Sequence, residues 1–242
     1  GNEPFFTDIK KSIKTKIVIL LDHSSSISSD AIEYKKATIA LCEVLAFLKV
    51  KFAVYAFSTE NRSVVCWSIK EDNMKWNKIT AKRLAQIVAN GSTPLAEVYD
   101  RMFLTLQSKR PNIFLTLTDG EPSDSDAVRK MTKSLKGLGI SMVALGLGPN
   151  TVRATTIANN LKHLGYDKTI AVSRLKDIPN KVINILNTWI ERMKNKFKCK
   201  LSDILYCHLK IKNWEKNLDQ NQGNDIDKVL LKRFEEEIWS KV

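Results

Sequence analysis

Residues 16–26 read Lys16-Ile17-Val18-Ile19-Leu20-Leu21-Asp22-His23-Ser24-Ser25-Ser26. The apolar run Ile17–Leu21 is short, branched and continuous, as a strand covered on both faces should be. It ends on a carboxylate followed by three serines. Phe52–Phe57, Ile113–Leu117 and Met142–Leu147 repeat the pattern, and Thr169–Val172 is a weaker fifth run. Between them lie segments with helical spacing: Asp30–Phe47, Thr80–Ala89, Pro94–Gln107, Asp126–Lys136 and Thr151–Leu161. Alternating strands and helices predict an α/β fold: a doubly wound, mostly parallel sheet with helices on both faces and right-handed crossovers. Val64–Ile69 follows Phe57 after only the turn-like Ser58–Asn61 stretch. So short a connection holds no crossover helix, which makes this run an antiparallel edge strand.

Towards the C-terminus the spacing predicts a helix from Asp177 to about Lys196, with Ile178, Val182, Ile185, Leu186 and Trp189 as its buried stripe. Asp203–Trp214 and Asp225–Trp239 also read as helices, joined by the polar loop Asn217–Gly223. The expected organisation is an N-terminal arm over 1–13, an α/β domain over 14–196 and a helical C-terminal appendage over 197–242. The chain opens on Gly1 rather than Met, as an excised fragment or a trimmed tag would leave it.

The 242 residues are 43% apolar, enough for a substantial core, and disorder is excluded for most of the chain. No stretch approaches the roughly 18 to 20 apolar residues of a membrane span, and no signal segment opens the chain. A cytoplasmic protein is expected. Cys42, Cys66, Cys199 and Cys207 form no CxxC pair and suit a reducing compartment. The net charge is +13, with 39 Lys+Arg against 26 Asp+Glu. Such a balance raises nucleic acid as a partner. The excess sits in residues 1–196, where basic residues are scattered; the densest cluster, Arg192, Lys194, Lys196, Lys198 and Lys200, straddles the end of that range. Solvated helix faces account for most of it.

Three segments carry candidate chemistry. Asp22, Ser24 and Ser26 stand at positions 1, 3 and 5 of a strand-to-helix turn, where Ser28, Ser29 or Asp30 would also serve as helix N-caps. Gly91-Ser92-Thr93-Pro94 precedes a helix, with Thr93 suited to its N-cap and Pro94 to its first position. Asp119-Gly120 ends a strand and is equally readable as a turn. The fold raises all three above these readings, because a doubly wound sheet binds ligands beyond the carboxyl ends of its strands, where strand order reverses. If the first strand and the Ile113 strand are neighbours there, Asp22, Ser24, Ser26, Thr93 and Asp119 converge. All five offer oxygen, which suits Mg²⁺ or Mn²⁺.

The DxSxS turn, the distant Thr and the strand-ending Asp-Gly resemble the metal-ion-dependent adhesion site (MIDAS) of von Willebrand factor A (VWA) domains, over roughly residues 14–195. The resemblance implies that Ser24 and Ser26 coordinate the ion through their hydroxyls, and that Thr93 does so directly or through water. It implies that Asp22 and Asp119 hold metal-bound waters or join the shell, and that an open position accepts a Glu or Asp carboxylate from a partner protein. Few direct carboxylates leave such an ion electropositive enough to do so. Phe52–Ser58, Ser68-Ile69-Lys70, Thr93–Glu97 and Leu117–Asp124 further resemble VWA proteins that partner MoxR-type AAA+ ATPases in nitric-oxide-reductase activation, rubisco activation and metal chelation. That resemblance implies an adaptor between the ATPase and its client. Ser25 and Ser92 stand where many members have Gly, and the two added side chains are expected to narrow the site. The acidic or additional domains that often precede the VWA part do not stand before it here, in keeping with a fragment.

Enzymatic readings are weaker. No P-loop, HExxH or GxSxG motif is present. Gly146-Leu147-Gly148 follows a strand, but the third Gly of a dinucleotide fingerprint falls on Thr151. His23 is read as a spacer in the metal turn, with a general-base role the lesser alternative. His163 and His208 have no complementary constellation, and Cys199, Cys207 and His208 lack zinc spacing. The expectation is therefore a non-enzymatic, metal-dependent protein-binding module, with nucleic-acid binding as the runner-up and a metal-dependent hydrolase third.

Overall fold

A computed structural model describes residues 15–186. Lys16–Asp22 forms strand β1, buried throughout after Lys16. Its side chains alternate between two separate apolar cores: Ile17, Ile19 and Leu21 enter one, Val18 and Leu20 the other. Covering on both faces is why the run is continuous. A single 3₁₀ stretch, Ser25–Asp30, leads into helix α1 (Ala31–Phe47). Strands β2 (Lys51–Glu60) and β3 (Ser63–Lys70), helices α2 (Lys78–Gln86) and α3 (Leu95–Lys109), strand β4 (Ile113–Thr118), helix α4 (Ser125–Gly137), strand β5 (Ser141–Leu147), helix α5 (Thr151–Lys162) and strand β6 (Lys168–Val172) follow. A last helix, α6, begins at 178.

The six strands form one sheet in the order β3-β2-β1-β4-β5-β6. All pairings are parallel except β2 with β3, which makes β3 the antiparallel edge strand. The α/β, doubly wound arrangement expected from the alternating pattern is therefore present. Helices α1, α2 and α6 cover one face and α3, α4 and α5 the other. Strand order reverses between β1 and β4, so the carboxyl ends of these two neighbours bound the crevice.

Several boundaries differ from expectation, each for a local reason. Pairing between β2 and β3 continues to Glu60 and Ser63, and the turn is Asn61-Arg62, both at positive φ (48° and 65°), as a tight two-residue hairpin requires. Helix α2 starts two residues earlier than Thr80 because Asn77 caps it, its side chain accepting from the N–H groups of Ile79 and Thr80. It stops at Gln86, since Ile87 turns extended and sends residues 88–94 back across the sheet end. In α6 the buried stripe is Ile178, Val182, Ile183 and Leu186, with Ile185 only half-buried. Gly146 and Gly148 have a packing role: a Cβ would lie 2.8 Å from the Ala158 nitrogen and 2.4 Å from the Ala154 nitrogen of α5. Only glycine lets that helix approach so closely.

Among the described residues no helix is long and apolar enough to cross a membrane. Cys42 is buried and Cys66 half-buried, both as free thiols whose ionisation burial suppresses. The expected arm, Trp189, the Arg192–Lys200 basic cluster, Cys199, Cys207, His208 and both helices of the C-terminal appendage lie outside the described residues.

Candidate metal centre

The crevice is assembled from three loops at the sheet's carboxyl end. At the end of β1 the Asp22 carboxylate is buried, and both its oxygens are engaged. One accepts the Ser24 N–H and the other the Thr118 hydroxyl of β4, each at 2.7 Å. Asp22 thereby holds its own turn and ties β1 to β4. Ser24 Oγ lies 3.1 Å from Ser26 Oγ, which donates to Asp119 Oδ1 at 2.7 Å. A continuous hydrogen-bonded row thus runs Asp22, Ser24, Ser26, Asp119. Thr93 enters from the third loop. A Cβ on Gly120 would lie 3.4 Å from its hydroxyl, so Thr93 abuts the Asp119-Gly120 corner. All five predicted residues meet in one place.

The capping roles weighed for these residues are not what the structure contains. Ser28 and Ser29 donate back to the carbonyls of Ser25 and Ser26 inside the 3₁₀ stretch, and Asp30 makes no side-chain cap to α1. Pro94, not Thr93, occupies the N-cap position of α3. The Thr93 side chain is turned to the crevice, and its carbonyl accepts from the Leu95 and Ser123 N–H groups.

Ser25, Asn90 and Gly91 explain how the third loop is held. Ser25 grips Gly91 twice: its N–H donates to the Gly91 carbonyl at 2.9 Å, and its hydroxyl accepts the Gly91 N–H at 2.8 Å. The side chain expected to narrow the site instead clamps the loop that carries Thr93. Gly91 sits at φ +86° with a virtual Cβ 2.3 Å from Thr59 Cβ, so no other residue fits there. Asn90 completes the seam, its N–H donating to the His23 carbonyl and its side chain to the Thr59 carbonyl. No sequence signal marks Ser25, because its partner is 66 positions away.

His23 points away from the crevice. It is 1% exposed, packs edge-on to Tyr34 and lies between the Leu21 carbonyl (3.2 Å from Nδ1) and Lys35 Nζ (3.0 Å from Nε2). An ammonium can only donate, so Nε2 accepts and the ring proton resides on Nδ1. Burial, reinforced by the Lys35 charge, lowers its pKa to about 3. A neutral, enclosed imidazole facing the core cannot serve as base to anything in the crevice.

The carboxylates show what the site lacks. Burial, with a contribution from Asp119, raises Asp22 to about 6 against the opposing hydrogen bonds from Thr118 and Ser24. Asp119 is raised too, by burial and by Asp30, against its bond from Ser26. Nearby, the fully buried Tyr34 hydroxyl has no hydrogen-bond partner among the described residues, and its ionisation is opposed by burial first and then by both these carboxylates. Two strained acids, a row of hydroxyls and an orphaned donor make a centre short of positive charge and of one or more polar partners. Among the described residues no three His, Cys, Asp or Glu cluster to hold a metal, so a cation here would rest on hydroxyls. The donor set fits a hard divalent ion: adjacent oxygens of an octahedral Mg²⁺ shell are about 2.9 Å apart, and the Ser24–Ser26 and Ser26–Asp119 separations are 3.1 and 2.7 Å.

Residues 16–184 match the model of the von Willebrand factor type A domain family. The chain belongs to this family. Its fold is shared with proximal thread matrix protein 1 of the mussel byssus, solved with a zinc-occupied MIDAS motif: 20% identity over 72% of this chain and 48% of that one, TM-score 0.53. This VWA chain therefore spans about half the length of the mussel protein. The SpRpn10 VWA domain is similar at 9% identity over 69% of this chain and 94% of that chain, with a TM-score of 0.51. Manganese-loaded Plasmodium vivax TRAP protein is similar at 14% identity over 72% of each chain, with a TM-score of 0.50. At these identities the likeness is one of fold. Comparison with curated protein sequences finds no match.

Proposed function

We propose that this VWA domain is a divalent-cation-dependent protein-binding module. Ser24, Ser26 and Thr93 would hold Mg²⁺ or Mn²⁺ through their hydroxyls, with Asp22 and Asp119 supplying the negative charge around it. When bound, the cation supplies an electropositive point that accepts a Glu or Asp carboxylate from an acidic protein partner. The observation that carries this reading is the hydrogen-bonded row from Asp22 to Asp119 at the strand-order reversal, closed by Thr93 against Gly120. The chain's own residues keep that row in place: Asp22 orders the turn, Thr118 fixes Asp22, and Ser25 fixes the Thr93 loop. The one histidine of the turn is enclosed in the core, and the crevice acids are engaged by Ser24, Thr118 and Ser26; binding rather than catalysis is the role we assign. We assign the domain further to the cytoplasm, as an adaptor between a MoxR-type AAA+ ATPase and its client, on the motif resemblance at Thr93–Glu97 and Leu117–Asp124.

Calorimetric titration with Mn²⁺ tests the core of the proposal. Binding at one site per chain is expected, weakened at least tenfold by Ser26→Ala and abolished by Asp22→Ala, with folding followed by circular dichroism. Undiminished Mn²⁺ binding by both folded variants overturns it. The adaptor role predicts capture of an AAA+ ATPase in Mg²⁺ and its release in EDTA.

A further inference from the structure

A cleft of about 510 Å³ opens directly beside the metal centre, with Ser26 and Asp119 forming one of its edges. Its volume is within the roughly 300–1,000 Å³ of ligand pockets. The floor is apolar, built from the buried side chains of Ile27, Leu147 and Ile157. The lining also includes Arg153 from α5, and Arg174 and Lys176 from the stretch after β6. Arg174 is already paired with Asp177 at 3.0 Å, whereas Arg153 and Lys176 have no carboxylate partner among the described residues. Asp30 and Glu33 line it too, and Glu33 is paired with Lys36 at 3.2 Å. The lining thus holds three basic and three acidic side chains, and a divalent ion at Ser26 and Asp119 would tip the whole cleft positive.

We propose that this cleft is a second recognition site for the partner's acidic segment. It would take an apolar side chain on the Ile27–Leu147–Ile157 floor and a second carboxylate on Arg153 and Lys176. The inference rests on the metal-dependent binding proposed above and adds the rule by which one acidic segment is chosen over another. A lone carboxylate reaches the cation on any flexible acidic loop. A segment with an apolar residue and a second acid a few positions on fills the cleft as well. Exposed ion pairs are individually weak, so the two cations together should contribute roughly a threefold to tenfold gain in affinity.

The test uses fluorescence anisotropy with labelled synthetic peptides in Mn²⁺. One peptide carries a single Asp. A panel carries the same Asp, a following Leu, and a Glu placed two, three or four residues after the Asp. The best two-acid peptide is expected to bind the wild-type chain threefold to tenfold more tightly than the single-acid peptide. Arg153→Ala/Lys176→Ala should erase that ratio. Lys130→Ala/Lys133→Ala, which removes the same charge from the exposed face of α4, should preserve it. If no two-acid peptide exceeds the single-acid one, or if the Arg153/Lys176 variant keeps the ratio, the cleft is not a recognition site. If no peptide binds better in Mn²⁺ than in EDTA, the metal-dependent reading itself fails, an outcome separate from the loss of the ratio.

Discussion

At the residue scale, the candidate metal centre separates what spacing encodes from what only contact reveals. Asp22, Ser24 and Ser26 are legible because they lie two residues apart after an unmistakable strand, and Asp119 because it ends another. Thr118 and Ser25 are not, since their functions are hydrogen bonds to partners 96 and 66 positions away. His23 illustrates the same limit in reverse: its position within the turn is visible in sequence, but its inward direction follows from the Leu21 carbonyl and Lys35 that receive it. Ser25 offers a direct test. Ser25→Ala deletes the acceptor of the Gly91 N–H while leaving the backbone bond to the Gly91 carbonyl in place. One neutral hydrogen bond contributes about 0.5–1.5 kcal/mol, so Mn²⁺ affinity is expected to drop about threefold to tenfold through a looser Thr93 loop. Ser29→Ala, which alters a serine of the same 3₁₀ stretch bonded only within it, should leave affinity near wild type. Equal titrations for wild type and Ser25→Ala would remove the clamp from the account.

At the scale of elements, the strands were legible because burial on both faces writes a continuous apolar run, and the helices because their spacing is periodic. Several of the differences fall at caps. Asn77 begins α2 and Asp124 begins α4, each through a side chain accepting backbone N–H groups, and neither is distinguishable in sequence from the polar residues around it. The opposite end of the sheet from the candidate metal centre carries a feature the sequence did not suggest at all. Asp72, after β3, receives Lys109 Nζ from the end of α3 at 2.5 Å and Lys16 Nζ from the start of β1 at 3.1 Å, and its side chain is 12% exposed. The Lys109 hydrogen bond, followed by that from Lys16, holds the Asp72 carboxyl well below the usual range against its partial burial. A carboxylate with a depressed folded-state pKa stabilises above its unfolded value, near 3.8, and loses that contribution as pH falls through the lower folded value. Asp72→Asn is therefore expected to cost about 1–3 kcal/mol at pH 7. The gap to wild type should narrow as pH drops below about 4. Urea denaturation of both proteins at pH 7, 4 and 2.5 measures this, and a gap independent of pH would show that Asp72 acts through packing rather than charge.

At the scale of the whole molecule, the charge of +13 and the hydroxyl-lined crevice constrain each other. Without a cation, the crevice concentrates the carboxylates of buried Asp22 and half-buried Asp119 within a basic chain; a divalent cation offsets those two negative charges, and the basic surroundings then set the sign of the field. An acidic partner would then be drawn towards the crevice from a distance and captured at short range by the cation, and the two stages respond differently to salt. Long-range attraction between exposed charges is screened over about 10 Å at 0.1 M ionic strength, whereas a carboxylate in direct contact with a cation is screened far less. The association rate of an acidic peptide in Mn²⁺ is therefore expected to fall about tenfold between 0.05 and 0.5 M NaCl, while its dissociation rate changes less than about twofold. A nucleic acid held by the scattered basic residues would behave otherwise: its affinity would fall as a steep power of salt concentration and would be indifferent to EDTA, because counterion release rather than a coordinated carboxylate would drive it. Stopped-flow kinetics with peptide and with an RNA oligomer, each with and without Mn²⁺, separates the two. Metal-independent RNA binding with a steep salt slope, alongside peptide rates insensitive to salt, would move the function from the crevice to the basic surface.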